Sequence, residues 1–482
     1  MKIKLPTLLA GLGLGLALTV SAATAVEQQG GEPLAGSKQS VQDLEAQVFY
    51  QRAFEATIWS MPATAIYRLR SGFLDIDGVD NNVIVAYSAP FTAAQKAVTA
   101  NTATPYITAY TDLRKGPAVL VVPPKGEKAS LYGQVVDAWQ VTIADVGPSG
   151  KDAGKGGKYL FLPPGYDKPI PEGYIVIKSP SNLVGFAFRS VKVEGATVAD
   201  AYAYSKTLKM YYLDDPKETK YVDPIKEPVY TLPFYDFRTL LDIKAIIDAE
   251  PVREADKVMM GMLATLGIEK GKPFEPTEEQ KKAMVQGVVD AYHYMVKKTD
   301  EMHKTQYYWE DRKWSFVMKP DVNVGFEYIT DTAVQIDQRA VAWHFFTFYP
   351  TKLSKTPATV YLAPMEDSEG NDIQANKTYR IHIPKGMPVK QFWSITVYDH
   401  ATWGFIDSPQ MRPGLGMFDM DNMKVNKDGS VDVYVGPKAP EGYESNWIPT
   451  MDKQPYIWLR LYGGDTAFWN KSFKLPDVEL VK

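Results

Sequence analysis

The sequence predicts an α+β protein, mainly β, built from two β-sandwiches of jelly-roll type with a helical region between them. Three observations support this fold class. Tyr, Phe and Trp make up 12% of the 482 residues, and 34 Pro and 35 Gly supply turn residues. Two stretches contain short runs of Val, Ile, Tyr and Phe bounded by turn residues, which is typical of a sandwich or barrel. The stretch between them has the apolar period of helices.

The length is about three times that of an average domain, so the chain is expected to contain more than one. Its 45% hydrophobic and 23% charged residues are ordinary for a globular protein and argue against disorder or a membrane bundle. We therefore divide the chain into a signal peptide (residues 1–25), a mobile leader (26–39), an N-terminal helix with a sandwich (40–233), a helical region (234–306) and a C-terminal sandwich (307–482).

The first 25 residues are predicted to be a cleaved signal peptide. Lys2 and Lys4 form a basic start, an apolar segment follows from Leu8 to Val20, and Ala23-Thr24-Ala25 has the pattern of a cleavage site. An uncleaved anchor is the alternative, but the apolar segment is short for a membrane span. We expect a periplasmic protein with no stable membrane span after cleavage. Since the chain has no Cys, disulfides, thiolate nucleophiles and lipid attachment at cysteine are excluded.

Local signals place the elements of the first half. Ser40 with Asp43 three residues later predicts a capped helix start, and Pro62 is expected to break or kink that helix. The glycine-rich segment Ser149–Lys158 lacks the spacing of a phosphate-binding loop and is interpreted as a flexible hairpin loop. Seven strand-like runs lie between Asn81 and Val193: NVIVAYSA, TPYITAYTDL, GPAVLVVPP, WQVTIADVG, GKYLFLPP, YIVIKSP and LVGFAFRSV.

The second half contains helices followed by strands. A methionine-rich helix is predicted from Ala255 to Leu266 with Gly267 at its end, and Thr277 with Gln280 predicts the capped start of another. The dipeptide Asp428-Gly429, between two alternating runs, is the strongest hairpin signal in the chain and predicts a type I′ turn.

The charge of the chain excludes some classes of partner. Removal of the signal peptide takes away two Lys and no acidic residue, so the formal net charge changes from −4 to −6. Such a mildly acidic chain without basic runs is not expected to bind nucleic acid.

Candidate catalytic residues are few. Asp399 and His400 follow a predicted strand and Asp145 lies near the end of another, so we treat these three as acid or base candidates of a cofactor-free hydrolase. Alternatively, His400 is an exposed loop imidazole, and Asp399 and Asp145 are ordinary polar residues at strand ends. The five His residues show no zinc-binding spacing, and neither a nucleophile elbow nor a dinucleotide fingerprint is present. We expect no metal and no cofactor.

Candidate ligand-binding residues combine aromatic rings with a few polar groups, as sites for sugars and small organic molecules do. Arg189 in GFAFRS and Arg460 in WLRLYG alternate with large apolar residues, so each either faces solvent or is held inward by a carboxylate, and an inward arginine would readily bind an anion or a carboxylate. The full set of ligand-binding candidates is Tyr106, Arg189, Tyr398, Arg412, Asn446, Trp447 and Arg460.

Several segments resemble a pair of bacterial domains of unknown function. PYITAYTDLRKGPAVLVVP and GKYLFLPPGYDKPIPEGYIVIKSPSNLVGFAFR resemble the N-terminal domain, numbered twelve fifty-four. FWSITVYD, NKDGSVDVYV, NWIPT and RLYGGDTAFWNKSFKLPDVELV resemble its C-terminal companion, numbered twelve fourteen. The resemblance implies an exported envelope protein with two β-sandwiches and no established reaction. Arg412 aligns with an arginine of the family, whereas the Asn and Tyr that accompany it there are replaced here.

Three functions follow as hypotheses. The first is binding of a small molecule or glycan at aromatic-lined strand ends or between the domains. The second is the cofactor-free hydrolase, and the third is a structural envelope protein that acts as a homo-oligomer.

Overall fold

The computed structural model describes residues 40–193, 195–318, 325–349, 351, 357 and 359–481. The predicted signal peptide and leader lie outside these residues. Over the described residues the helices are α1 (Val41–Leu74), α2 (Val198–Ser205), α3 (Phe237–Ala249), α4 (Lys257–Thr265), α5 (Glu278–His303), α6 (Ile336–Trp343) and α7 (Thr466–Trp469).

The strands fall into two groups on either side of the helical region. The first group is β1 (Ile84–Ala86), β2 (Gln95–Lys96), β3 (Tyr106–Asp112), β4 (Ala118–Val122), β5 (Ala129–Val136), β6 (Thr142–Val146), β7 (Gly157–Leu162), β8 (Ile175–Lys178), β9 (Leu183–Lys192), β10 (Lys209–Tyr212), β11 (Tyr221–Val222) and β12 (Val229–Tyr230). The second group is β13 (Trp314–Phe316), β14 (Thr359–Pro364), β15 (Tyr379–Ile383), β16 (Val389–Asp399), β17 (Gly414–Gly416), β18 (Val431–Gly436), β19 (Trp447–Pro449), β20 (Pro455–Gly464) and β21 (Glu479–Leu480).

Helix α1 begins at the predicted cap. The Asp43 N–H donates to Ser40 Oγ at 3.1 Å, and the Ser40 N–H donates to Asp43 Oδ2 at 3.2 Å, which forms the capping box. The predicted break at Pro62 is wrong, because the helix continues to Leu74. Residues 56–66 are all buried, so packing around this part of the helix outweighs the local cost of proline, which is about 3 kcal/mol.

The N-terminal strands form a sandwich. The larger sheet has the order β11-β1-β3-β9-β5-β6 and the smaller one β10-β4-β7-β8, while β12 and β2 form a separate ribbon. Alternation along the strands turns Ile107 and Phe186 of the larger sheet inward, where they pack in one core cluster with Leu120 and Phe161 of the smaller sheet.

The C-terminal strands form a second sandwich, with sheet orders β13-β14-β20-β16-β17 and β19-β18-β15-β21. Its core contains Ile395 and Leu459 from one sheet and Val433 from the other. A turn at Asp428-Gly429 leads into β18, as predicted, but the type I′ assignment is wrong. Only Gly429 has a positive φ, of 84°, and its N–H donates to Asn426 O at 2.9 Å, which is typical of a type I turn followed by a glycine bulge.

Helices α3, α4 and α5 lie between the two sandwiches in the chain and pack with α1. Leu240, Leu263 and Met284 form one cluster with Ala56 of α1. Within the described residues, no helix is both long and apolar enough to cross a membrane.

The two larger sheets contribute their outer faces to a shared aromatic cluster. Tyr110 of β3 packs in this cluster with Tyr398 of β16 and Trp458 of β20. We call this region the seam. It comprises the outer faces of β3, β5 and β9, those of β14, β16 and β20, and the segment 99–104 that precedes β3.

Candidate functional site

On the N-terminal side of the seam, an arginine lies between two tyrosines. Strand pairing sets Arg189 of β9 directly opposite Tyr106 of β3 and Tyr132 of β5. Because Phe188 faces the core, the next residue, Arg189, faces the seam. Its guanidinium lies 5.0 Å from the centre of the Tyr106 ring, and Nη1 donates to Thr104 Oγ1 at 3.2 Å.

The C-terminal side repeats this arrangement. Arg460 of β20 lies opposite Tyr361 of β14 and Ser394 of β16. Its guanidinium is 4.6 Å from the centre of the Tyr361 ring and 4.8 Å from that of Trp458. Nη2 donates to Thr99 O at 2.6 Å and to the Tyr398 hydroxyl, so the segment 99–104 is attached to this sheet through Arg460.

Neither arginine has a carboxylate partner among the described residues. Burial lowers the pKa of each guanidinium, but the surrounding phenols raise it further, so the net direction is upward for both. Burial also raises the pKa of Tyr361 and of Tyr398, so these phenols are protonated at neutral pH. Burial raises the pKa of Tyr106 as well, but the charges of Arg189 and Arg460 lower it further, so its net direction is downward. The two guanidinium groups therefore lie among phenols and carbonyls, with no carboxylate partner in the described part of the chain.

Four predicted ligand-binding residues thus come together in the seam, namely Tyr106, Arg189, Tyr398 and Arg460. The other three, Arg412, Asn446 and Trp447, form a separate group in the C-terminal sandwich, where their polar atoms bind the backbone. Arg412 Nη1 donates to Glu444 O at 2.9 Å, Asn446 Nδ2 to Asp432 O at 2.9 Å and Trp447 Nε1 to Gly436 O at 2.8 Å.

The three acid or base candidates do not form one constellation. Asp399 Oδ1 accepts the Ala401 N–H at 3.0 Å, while His400 Nε2 lies 2.8 Å from Asp300 Oδ1 and not beside the Asp399 carboxylate. Asp145, on β6, accepts from the backbone and hydroxyl of Thr351. Their role in hydrolysis stays a prediction.

Two further histidines are buried near the seam. Burial lowers the pKa of His303 to about 4 and that of His344 to about 3, so both rings are neutral at pH 7. His303 Nδ1 lies 2.8 Å from Thr299 O, and Nε2 lies 3.1 Å from Val317 O and 3.0 Å from the Tyr456 hydroxyl. Because a carbonyl oxygen only accepts, the neutral ring donates its one N–H to one of these two carbonyls.

A groove of about 570 Å³ lies at the end of β20, next to Tyr462 of the seam. Its polar side chains mostly bind local backbone: Asp465 accepts the N–H groups of Ala467 and Phe468, and Trp469 Nε1 donates to Gly464 O. Few groups are left for a ligand, so we regard the seam as the candidate site. Over the residues that the structure covers, no three His, Asp or Glu side chains are grouped as metal ligands.

Sequence reasoning missed several residues of the seam: Thr104, Tyr132, Tyr361, Ser394, Thr396 and Tyr462. A signal was present, since each is a polar or phenolic residue next to apolar ones within or beside a strand. The alternation of polar and apolar residues shows that such side chains lie outside the core, but it does not show which strands are neighbours.

Comparisons with known proteins agree with this architecture. One family model, described as a protein of unknown function (DUF1254), matches residues 81–212, and another, described as a protein of unknown function (DUF1214), matches residues 358–466. No curated protein matches the chain.

Two solved structures are similar to the chain. The VPA0106 protein of Vibrio parahaemolyticus has 19% sequence identity and a TM-score of 0.52, with 90% of this chain and 100% of that chain covered. An uncharacterised protein of Burkholderia cenocepacia has 10% identity and a TM-score of 0.39, with 91% and 96% covered. The first likeness supports the fold alone. From the order of its two domains, the chain belongs to the family in which a DUF1254 domain is followed by a DUF1214 domain.

Proposed function

We propose that this protein binds a small, negatively charged organic molecule in the seam between its two sandwiches. The observation that carries the proposal is the pair Arg189 and Arg460, which face phenols, hydroxyls and carbonyls and no carboxylate in the described part of the chain. Arg460 is 1% exposed. A buried charge without a countercharge costs several kcal/mol, and such costs are concentrated at functional sites.

The composition of the seam supports a ligand with an organic body. Tyr106, Tyr132 and Tyr361 surround the arginines and offer ring faces and hydroxyls, which is the combination found in small-molecule sites. Two positive charges favour an anionic ligand over a neutral glycan. Tyr132 is 37% exposed whereas Arg460 is buried, so the ligand would enter on the Arg189 side.

The proposal is tested by thermal unfolding of the chain from residue 26 onward with pairs of matched probes. Benzoate and phenyl phosphate are compared with benzamide, and glucose serves as the neutral sugar. We expect at least one of the two anions to raise the unfolding temperature by about 2 °C at saturating concentration, because it binds only the folded state. Benzamide and glucose should give no comparable shift.

Substitution of the accessible arginine locates the effect. Arg189→Met should abolish the shift with the anion. Arg238→Met is the matched control, since Arg238 also lies over an aromatic ring but is exposed and paired with Asp236. If neither anion gave a larger shift than benzamide, or if the shift persisted in Arg189→Met, the seam would not be an anion site.

We also propose that the protein is exported to the periplasm. The support is the pattern of the first 25 residues, with their basic start, apolar segment and small-residue cleavage site. Cell fractionation followed by N-terminal sequencing tests this, and a mature chain that starts at Val26 in the periplasmic fraction is the expected result. An unprocessed chain in the cytosol would refute it.

A further inference from the structure

Four polar atoms on one face of the C-terminal sandwich are buried without a hydrogen-bond partner among the described residues. They are Ser394 Oγ, Thr396 Oγ1, Tyr462 Oη and Arg460 Nε. Their residues are between 0% and 5% exposed. Since most buried polar groups in proteins are paired, a group of four around one cation requires an explanation.

Strand register places these atoms together. Ser394 lies directly opposite Arg460 across β16 and β20, and facing side chains of this kind have Cβ atoms about 5 Å apart. Thr396 and Tyr462 lie on the same face, on either side of this pair, because Thr396 is opposite Trp458 and Tyr462 is opposite Phe392. The four residues therefore form one continuous patch with a positive charge at its centre.

The patch offers three hydroxyls and one guanidinium N–H. Hydroxyls accept as readily as they donate, but with a cation between them the complementary partner is an anion that accepts several hydrogen bonds at once. A carboxylate or phosphate group has this chemistry. An amide, which brings its own N–H donors to the guanidinium, does not.

Segment 99–104 lies against Arg460, the centre of the patch. The Thr99 N–H donates to Trp403 O at 2.8 Å, and Thr99 Oγ1 donates to Phe345 O at 2.9 Å. Thr99 itself has a φ of 41°, which is a strained conformation for a β-branched residue. The backbone carbonyls of Thr99 and Ala100 thus accept hydrogen bonds from Nη2 of Arg460, whereas its Nε–H can donate to another acceptor.

We propose that Arg460, Ser394, Thr396 and Tyr462 bind the carboxylate or phosphate group of the ligand, with Arg189 and its tyrosines contacting the organic body. This inference rests on the proposed function and adds the chemical class of the anionic group and the residues that bind it. The phosphate and the carboxylate alternatives are separated by the probes.

The experiment is calorimetric titration of the chain from residue 26 onward with benzoate, phenyl phosphate and benzamide. We expect one of the two anions to bind and benzamide not to bind. Ser394→Ala, Thr396→Val and Tyr462→Phe each remove a single hydroxyl, and each should weaken binding of that anion about tenfold, since a hydrogen bond to a charged group is lost.

Thr111→Val is the matched control. Thr111 is also fully buried with an unpartnered hydroxyl, but it lies on the face of β3 that carries Ile107 and Ala109 toward the N-terminal core. Its substitution should leave the affinity unchanged. Circular dichroism of each variant confirms folding before titration.

The outcomes separate the two proposals. If benzoate or phenyl phosphate binds, and binding needs Arg189 but tolerates all three hydroxyl substitutions, the proposed function holds. The assignment of the patch as the binding site of the anionic group is then wrong. If no anion binds, both proposals fail. If the three hydroxyl variants lose affinity for the anion and binding also needs Arg189, both proposals are supported.

Discussion

Thr396 allows the cost of an unpaired hydroxyl to be measured directly. Its side chain is 0% exposed on β16, and Oγ1 has no partner among the described residues. Valine has the same shape without the hydroxyl, so Thr396→Val removes a desolvation penalty and no hydrogen bond. We expect the free energy of unfolding of the ligand-free protein to rise by about 1 kcal/mol in urea denaturation at pH 7.

Thr57→Val provides the comparison. Thr57 is also buried, but its Oγ1 donates to Ala53 O at 2.8 Å, so this substitution should bring no gain in stability. If Thr396→Val lowered the free energy of unfolding by about 1 kcal/mol or more, the Thr396 hydroxyl would already be paired. Thr396 would then not be available to bind an anion at the patch.

Single residues also show what the sequence can reveal about the site. Arg460 in WLRLYG alternates with Leu459 and Leu461, so the sequence predicts an arginine that either faces solvent or is held inward by a carboxylate. The structure buries Arg460 with no carboxylate partner among the described residues, so neither alternative describes it. Sequence pattern did not separate Arg460 from Arg412, because both are arginines near aromatic residues. The difference lies in tertiary contacts: Arg412 binds backbone carbonyls of a neighbouring loop, whereas Arg460 lies between the two sandwiches.

At the level of elements, the packing of α5 against α1 depends on one glycine. A Cβ atom at Gly287 of α5 would lie 2.3 Å from Tyr50 O of α1, which is closer than real contacts allow. Gly287→Ala must push the two helices apart, and overpacking of this kind costs about 1–3 kcal/mol. We expect a loss of stability of that size in urea denaturation.

The opposite result is expected for a second helical glycine. Gly261 of α4 is exposed, and a Cβ there meets nothing within 4 Å. Gly261→Ala should therefore stabilise the protein by up to about 1 kcal/mol, since alanine has the higher helix propensity. If both substitutions changed stability in the same direction, the close approach of α1 and α5 would be in doubt.

Elements were predictable where a local signal exists. Ser40 and Thr277 were predicted as helix caps, and each forms its capping box. Pro62 is expected to break or kink α1 because proline is costly in an isolated helix, yet the helix is not broken, since the surrounding burial maintains it. Local propensity therefore failed where tertiary packing is strongest.

At the scale of the whole molecule, the seam could not be predicted from sequence. Alternation assigns Phe186 and Leu459 to the two cores, as found. The way in which the outer faces approach each other depends instead on segments such as 99–104, which has no periodic pattern and contacts both sandwiches. Only the tertiary structure brings Arg189 and Arg460 into one site.

Histidine burial near the seam predicts how stability depends on pH. The pKa of His303 is lowered to about 4 and that of His344 to about 3, whereas an unfolded histidine titrates near its ordinary value of about 6.5. Between these values the unfolded chain binds more protons than the folded one, so their contribution to stability is complete above pH 6.5 and decreases as the pH falls.

The substitution His303→Gln isolates this contribution from those of other titrating groups. The titratable neighbours Asp300 and His400 remain in the variant. Between pH 6 and 4.5, the free energy of unfolding of the wild type should fall more steeply than that of the variant, by about 1.4 kcal/mol per pH unit. His293→Gln, at an exposed position of α5, controls for the loss of an imidazole. Parallel pH profiles for wild type and His303→Gln would mean that burial does not lower the pKa of His303, and the ring would then be protonated in the folded protein over this pH range.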